Sequence, residues 1–232
     1  MDEKMKKRNQ RNFGITMGLL VAFVLWTIAI SKFDVQAIGP QGSSVGFAAF
    51  NGFFHNLTGV HMSIYTITDW LGLVPFAFVF GFAILGLIQL IQRRSLLKVD
   101  NSILVLGGFY IIVMAAYVFF EIVVINYRPV LIEGHLEASY PSSTTMLVMC
   151  VMPTAIMQLN SRIKNQGIRN GIDCLIIAFT GFMVVGRLIS GVHWFTDIVG
   201  GALLSSGLVM LYVSVNDMLT KEVGMMEASG IE

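Results

Sequence analysis

Near the C-terminus the chain reads Gly186-Arg187-Leu188-Ile189-Ser190-Gly191-Val192-His193-Trp194-Phe195-Thr196-Asp197. An arginine, a histidine six places on and an aspartate four after that lie between two strongly apolar stretches. Charged and titratable groups at a membrane boundary cost free energy unless they have a partner or a task. An imidazole oriented by a carboxylate can attack phosphorus while a nearby guanidinium holds the phosphoryl oxygens. On a helical start, His193 and Asp197 would face each other. A carboxylate on one ring nitrogen would fix the tautomer and free the other. Each residue also has a simpler account: Asp197 can cap a helix beside an interfacial histidine, and Arg187 can snorkel from a helix end.

Two upstream segments add related chemistry. Glu121 is followed by Asn126-Tyr127-Arg128-Pro129, and a little later the chain reads Tyr140-Pro141-Ser142-Ser143-Thr144-Thr145. Pro141 suits a helix start, and Ser142 or Ser143 can cap it. The free N–H groups of such a start make an anion site. The simpler account is a well-capped helix. Two arginines, a helix N-terminus and a His–Asp pair together describe a phosphoryl site. No cluster has metal-ligand spacing and no Gly-rich motif implies a nucleotide.

The elements that must position these groups are apolar helices. The chain has 232 residues, 55% hydrophobic and 12% charged, against about 25% charged in soluble domains. Six stretches, about 13–30, 71–92, 102–124, 143–160, 172–189 and 198–215, have membrane-helix composition, and most approach the length needed to cross a bilayer. The fourth contains Pro153; the sixth carries Gly200, Gly201, Ala202, Ser205, Ser206 and Gly207, which permit close helix packing. The first lacks a small-residue cleavage site and is read as a helix, not a signal peptide. Cys150 and Cys174 both fall in apolar runs, which predicts membrane-core thiols and no disulfide framework. Residues 31–70, rich in Gly and Phe and holding His55 and His61, are expected to form short helices on the bilayer surface.

Basic residues give the orientation. Lys4, Lys6, Lys7, Arg8 and Arg11, then Arg93, Arg94 and Lys98, then Arg162, Lys164 and Arg169, and finally Lys221 share one side. Only Lys32, Arg128 and Arg187 mark the other. The positive-inside rule puts both termini in the cytoplasm. It also brings Glu121, Arg128, the 140–145 segment, Arg187, His193 and Asp197 together at the outer face. Tyr140 and Trp194 read as interfacial anchors, and Phe119 and Phe120 as helix-packing residues.

These residues resemble the type 2 phosphatidic acid phosphatase family, related to vanadium haloperoxidases. The resemblance is carried by residues 100–215. The third family motif, Ser-Arg, five residues, His, three residues, Asp, is matched by Gly186-Arg187, His193 and Asp197. The first, Lys, six residues, Arg-Pro, gives Glu121 through Arg128-Pro129, and the second, Pro-Ser-Gly-His, gives Pro141-Ser142-Ser143-Thr144. The resemblance implies an all-α, six-transmembrane-helix bundle forming one domain over residues 1–232. It implies a bacterial inner-membrane lipid phosphatase with no metal or cofactor, acting on a phospholipid or a polyprenyl phosphate or pyrophosphate, with no nucleic-acid partner. His193 would be the nucleophile, forming a phosphohistidine, and Asp197 its orienter. Arg128 and Arg187 would hold phosphate oxygens, helped by Ser142 and Ser143.

Two departures bear on activity. Thr144 stands where the family has the histidine that protonates the leaving alkoxide, and Glu121 stands where it has a phosphate-binding lysine. Loss of a general acid costs roughly 10²–10⁴-fold. Three accounts fit Thr144: a substitution disabling an active parent, a phosphatase with another donor or an easier leaving group, or a catalytically silent phospholipid-binding or lipid-transport protein. His135, flanked by Glu133 and Glu137, is the candidate substitute acid, with a solvated loop histidine as its simpler account.

Overall fold

The computed structural model describes the backbone of residues 3–229 and the side chains of residues 7–219. Lys4, Lys6 and Lys221 lie outside the described side chains. Helices α1 (Glu3–Lys32), α2 (Ala48–Thr58), α3 (Met62–Leu71), α4 (Leu73–Arg93), α5 (Asn101–Ile122), α6 (Ser143–Asn160), α7 (Gln166–Ile189) and α8 (Phe195–Ser229) follow in order. No strand forms among the described residues; the only pairing is in isolated bridges such as Tyr127 with Ala138.

All six apolar stretches are helical. Among the described residues, five helical runs are long and apolar enough to cross a membrane: Lys7–Lys32, Met62–Arg93, Asn101–Ile122, Gln166–Ile189 and Phe195–Leu219. The stretch expected from 143 to 160 is α6, an 18-residue helix outside that set. The reason lies in packing. Val148, Cys150, Val151, Met152 and Ala155 are fully enclosed by neighbouring helices, so α6 needs no lipid-compatible face and can carry polar side chains. Thr154 bonds Tyr110 at 3.2 Å, and Gln158 donates to Tyr212 at 2.7 Å. Pro153 is accommodated beside Thr154, whose hydroxyl donates to the Cys150 and Val151 carbonyls at 2.9 Å. The outer helices instead expose apolar residues such as Leu25, Phe80, Ile111 and Leu175, a surface that suits hydrocarbon.

The small residues of α8 do what their size predicts. A Cβ on Gly200 would lie 2.3 Å from the Tyr140 ring, and one on Gly207 would lie 2.7 Å from Leu20. Tyr140 is therefore not an interfacial anchor. It is buried at this crossing, stacked on Phe23 and bonded to Thr27 at 2.7 Å. Trp194 is likewise buried, and its indole N–H donates to the Tyr127 carbonyl at 2.8 Å. Phe120 packs between Phe23 and Tyr140 as expected, whereas Phe119 is exposed. Cys150 is buried; Cys174 lies on the exposed face of α7.

Charge gathers at the two ends of the bundle. At one end Asp100 accepts from Arg93 at 2.9 Å and lies 3.8 Å from Arg162, while Arg8 pairs with Asp217 at 3.0 Å. The other end holds Arg128, Arg187, His193 and the segment expected on the surface. That segment is more than a surface cover. Asn51 of α2 is fully buried and bonds the Thr196 hydroxyl at 2.9 Å, pinning the start of α8. Helix α3 lies against α7, with Thr68 buried where a Cβ on Gly186 would come within 2.8 Å of its methyl. A serine at Gly186, as in the family motif, would displace α3. The glycine is what lets that helix approach.

Candidate active site

His193 precedes α8 and does not sit on its first turn, so the expected helical four-residue pairing is replaced by another device. Nδ1 is 3.9 Å from Asp197 Oδ2, and Ser139 stands between them. The ring nitrogen is 3.1 Å from both the Ser139 carbonyl and its hydroxyl, and that hydroxyl donates to Asp197 Oδ2 at 2.5 Å. A carbonyl can only accept, so Nδ1 carries the proton and Nε2 keeps its lone pair. Nε2 is buried and has no hydrogen-bond partner. Burial, followed by the charges of Arg128 and Arg187, holds His193 well below the usual histidine range. This environment favours the neutral imidazole at neutral pH, with a free lone pair on Nε2.

Asp197 serves both accounts given it by the sequence. Its carboxylate accepts from the Trp194 N–H at 2.9 Å, closing the first turn of α8. It also takes the Ser139 bond and one from Asn126 at 3.3 Å. Ser139 and Asn126 belong to the paired loop between α5 and α6, which turns at Glu133-Gly134 with positive φ at both residues. The Ser139 N–H donates to the Asn126 carbonyl at 2.9 Å, and the Arg128 N–H to that of Glu137 at 3.0 Å. This ladder fixes Arg128, Glu137 and Ser139 in one frame. Ser139 and Asn126 were not singled out by the sequence; the polar residues before Tyr140 carried no pattern that separates them from other loop residues. Replacing Ser139 with alanine is expected to lower kcat roughly tenfold with KM nearly unchanged, the scale of one oriented hydrogen bond. Steady-state kinetics of the purified variant test this.

A cavity of about 760 Å³ lies in front, lined by Glu121, Arg128, Ser143, Thr144 and Arg187 of the predicted set. Ser142 is buried behind it as the cap of α6, accepting from the Thr145 N–H at 3.5 Å. The first N–H groups of a helix have no intrahelical acceptor, and Ser143 and Thr144 bear those of α6. Arg187 donates one nitrogen to Asp69 at 3.0 Å and to the Thr144 hydroxyl at 2.6 Å. Its Nε and Nη1 are buried without partners, as is Arg128 Nη1. Arg128 Nε lies 3.1 Å from Glu137. His193 is not itself a lining residue, but the two arginines acting on it are. His135 is exposed in the loop turn and does not line the cavity.

Helix α3 brings two residues the sequence gave no reason to choose. Asp69 binds Arg187, and the Tyr65 ring faces both guanidinium carbons, at 4.9 Å from Arg187 and 5.8 Å from Arg128. Glu121 lines the cavity without an ion pair among the described residues; Glu137 is the partner of Arg128.

Four buried donors or lone pairs without partners, on Arg187, Arg128 and His193, gather at and behind this cavity and suit a bound tetrahedral oxyanion beside an imidazole. A transmembrane PAP2-type phosphatidylglycerolphosphate phosphatase from Bacillus subtilis, known from its crystal structure, has the same fold. The match has a TM-score of 0.57 at 16% identity and covers 88% of this chain and 96% of that one. No curated protein sequence matches the chain. Residues 125–221, which hold Arg128, the start of α6, Arg187, His193 and Asp197, match the PAP2 superfamily.

Proposed function

We propose that this protein is an integral-membrane lipid phosphate phosphatase. The match of residues 125–221 to the PAP2 superfamily supports a membrane hydrolase of the lipid phosphatase kind. The observation that carries the reading is the convergence of unpartnered nitrogens of Arg128, Arg187 and His193 at one end of the bundle. The cavity they serve continues into apolar space. Met114 lines it together with a groove of about 590 Å³ between α4 and α5, walled by Val79, Phe82, Ile103 and Leu106. A headgroup in the polar cavity and an acyl chain in the groove fit a lipid substrate.

In this reaction His193 Nε2 attacks phosphorus and the bond to the leaving oxygen breaks, giving a phosphohistidine. Water then attacks the phosphorus and releases phosphate, restoring the imidazole. Arg128, Arg187 and the first turn of α6 stabilise the equatorial oxygens throughout. The residues suffice without a metal. Thr144 cannot readily give the leaving alkoxide a proton, so a pyrophosphate lipid, whose leaving group needs less protonation, suits the site better than a monoester.

The second reading is a lipid-binding or transport protein on the same scaffold. It is favoured by Thr144, which accepts a bond from Arg187 where a proton donor is wanted. Phosphate release from phosphatidic acid, phosphatidylglycerophosphate and a polyprenyl pyrophosphate, measured beside binding of the same lipids, separates the two. Turnover of any one above the His193→Ala background supports the enzyme. Binding of all with turnover of none supports the binder.

Six crossings, with both termini cytoplasmic and the site facing outward, complete the proposal. The basis is the basic cluster of Arg8, Arg93 and Arg162 at the end opposite His193. In a Cys174→Ser background, Glu133→Cys should label with an impermeant thiol reagent in intact cells and Lys98→Cys should not. The reverse pattern inverts the topology.

A further inference from the structure

The cavity is basic in its depth and acidic at its mouth. The Arg187 and Arg128 side chains are 3% and 11% exposed, while those of Asp69 and Glu137 are 57% and 41% exposed. Glu121, at the end of α5, is exposed as well and lines the same cavity. Two guanidiniums therefore face three carboxylates. Asp69 and Glu137 are explained as counter-ions, each within 3.1 Å of its arginine. Glu121 has no such partner among the described residues, and it is the surplus charge.

A headgroup whose only charge is negative, that of a pyrophosphate lipid included, uses only the inner half of this gradient. It finds free donors on Arg187 and Arg128, but must pass the carboxylates and leave them without a cation. A headgroup with a phosphate at one end and an ammonium at the other meets both halves. Its phosphate takes the unpartnered Nε and Nη1 of Arg187, a residue 2% exposed. Its ammonium takes the place of the guanidiniums as partner to the mouth carboxylates. Tyr117 and Tyr127 also line the cavity, and aromatic rings attract cations.

We infer that this cavity selects a lipid that carries an ammonium beside its phosphate, with Glu121 as the specificity-determining residue. The inference rests on the phosphate site proposed above. Phosphatidylethanolamine and phosphatidylglycerol test it, because both are phosphodiesters and differ in an ammonium against a hydroxyl group. Short-chain forms of each are titrated into the full-length protein in nanodiscs. The wild type should bind the ethanolamine lipid at least about fivefold more tightly, the scale of one well-placed charge pair. Glu121→Gln, nearly isosteric, should cut that ratio by at least about threefold and improve binding of the glycerol lipid. Arg187→Ala should weaken both lipids alike.

Equal affinities in the wild type, or a ratio unchanged by Glu121→Gln, overturn the inference while leaving the phosphate site standing, provided Arg187→Ala still weakens both. If Arg187→Ala leaves both affinities unchanged in a protein with a wild-type elution profile, the phosphate-site reading itself is lost. Glu137→Gln, which also frees Arg128, is the control: it should strengthen the glycerol lipid, and a loss there counts against an electrostatic origin.

Discussion

Replacing His193 with alanine is expected to remove phosphatase turnover, by about 10³-fold or more, because the group proposed to form the covalent intermediate is gone and only binding remains. The side chain is buried and its Nε2 makes no hydrogen bond. Its loss breaks only the bonds to Ser139, so the variant should elute and unfold much as the parent does. Brief acid-free quenching of the parent with a labelled lipid should trap acid-labile phosphate on His193. The pH dependence has a definite sign. Burial and the two arginines lower the imidazole below its ordinary value of 6.5. The active, neutral form therefore persists as pH falls through that value. The acid limb of kcat/KM, which reports the free enzyme, should lie below 6.5. An alanine variant with parental activity, or an acid limb well above that value, rejects the imidazole as nucleophile.

The second large effect is a gain. Thr144→His is expected to raise hydrolysis of phosphatidic acid by at least about tenfold, at the lower end of what a general acid supplies. Thr144 lines the cavity and its hydroxyl is 2.6 Å from Arg187 Nη2, so an imidazole placed there is beside the bound phosphate. Histidine can give up a proton near neutral pH and threonine cannot. Arg187 nearby lowers the new group's pKa, so the gain should grow as pH falls from 8 toward 6. A pyrophosphate lipid should gain less. The gain should vanish in Thr144→His/His193→Ala, since an acid without a nucleophile completes nothing. Glu121 opposes an anionic substrate, so rates are compared at saturating lipid. A variant that folds, binds lipid and shows no gain between about pH 5 and 8 removes the disabled-phosphatase account and moves the lipid-binding reading ahead.

Residue order alone carries the helices and the end of the bundle where chemistry gathers. Apolar runs that can only be helices in hydrocarbon predict α1, α4, α5, α7 and α8 almost by length alone. Pro141 and Ser142 mark the start of α6, and Ser142 caps it. Glu121, Arg128, Ser143, Thr144 and Arg187 line one cavity because loops that alternate across the same slab must meet at one face.

Tertiary contact decided how the groups are held. The four-residue spacing of His193 and Asp197 suggested a direct pair. The pair is bridged by Ser139, some fifty residues earlier, because α8 begins only at Phe195 and the loop ladder inserts a serine at that height. Tyr140 and Trp194 look like interfacial residues in one dimension; they are core residues because Gly200 opens a slot for one ring and the Tyr127 carbonyl takes the other's N–H. Tyr65 and Asp69 reach Arg187 only because Gly186 and Thr68 let α3 close on α7. Helix periodicity is a local property and shows in the order of residues. A hydrogen bond between segments depends on crossing angles and side-chain volumes summed over the bundle, and no short stretch of sequence carries that sum.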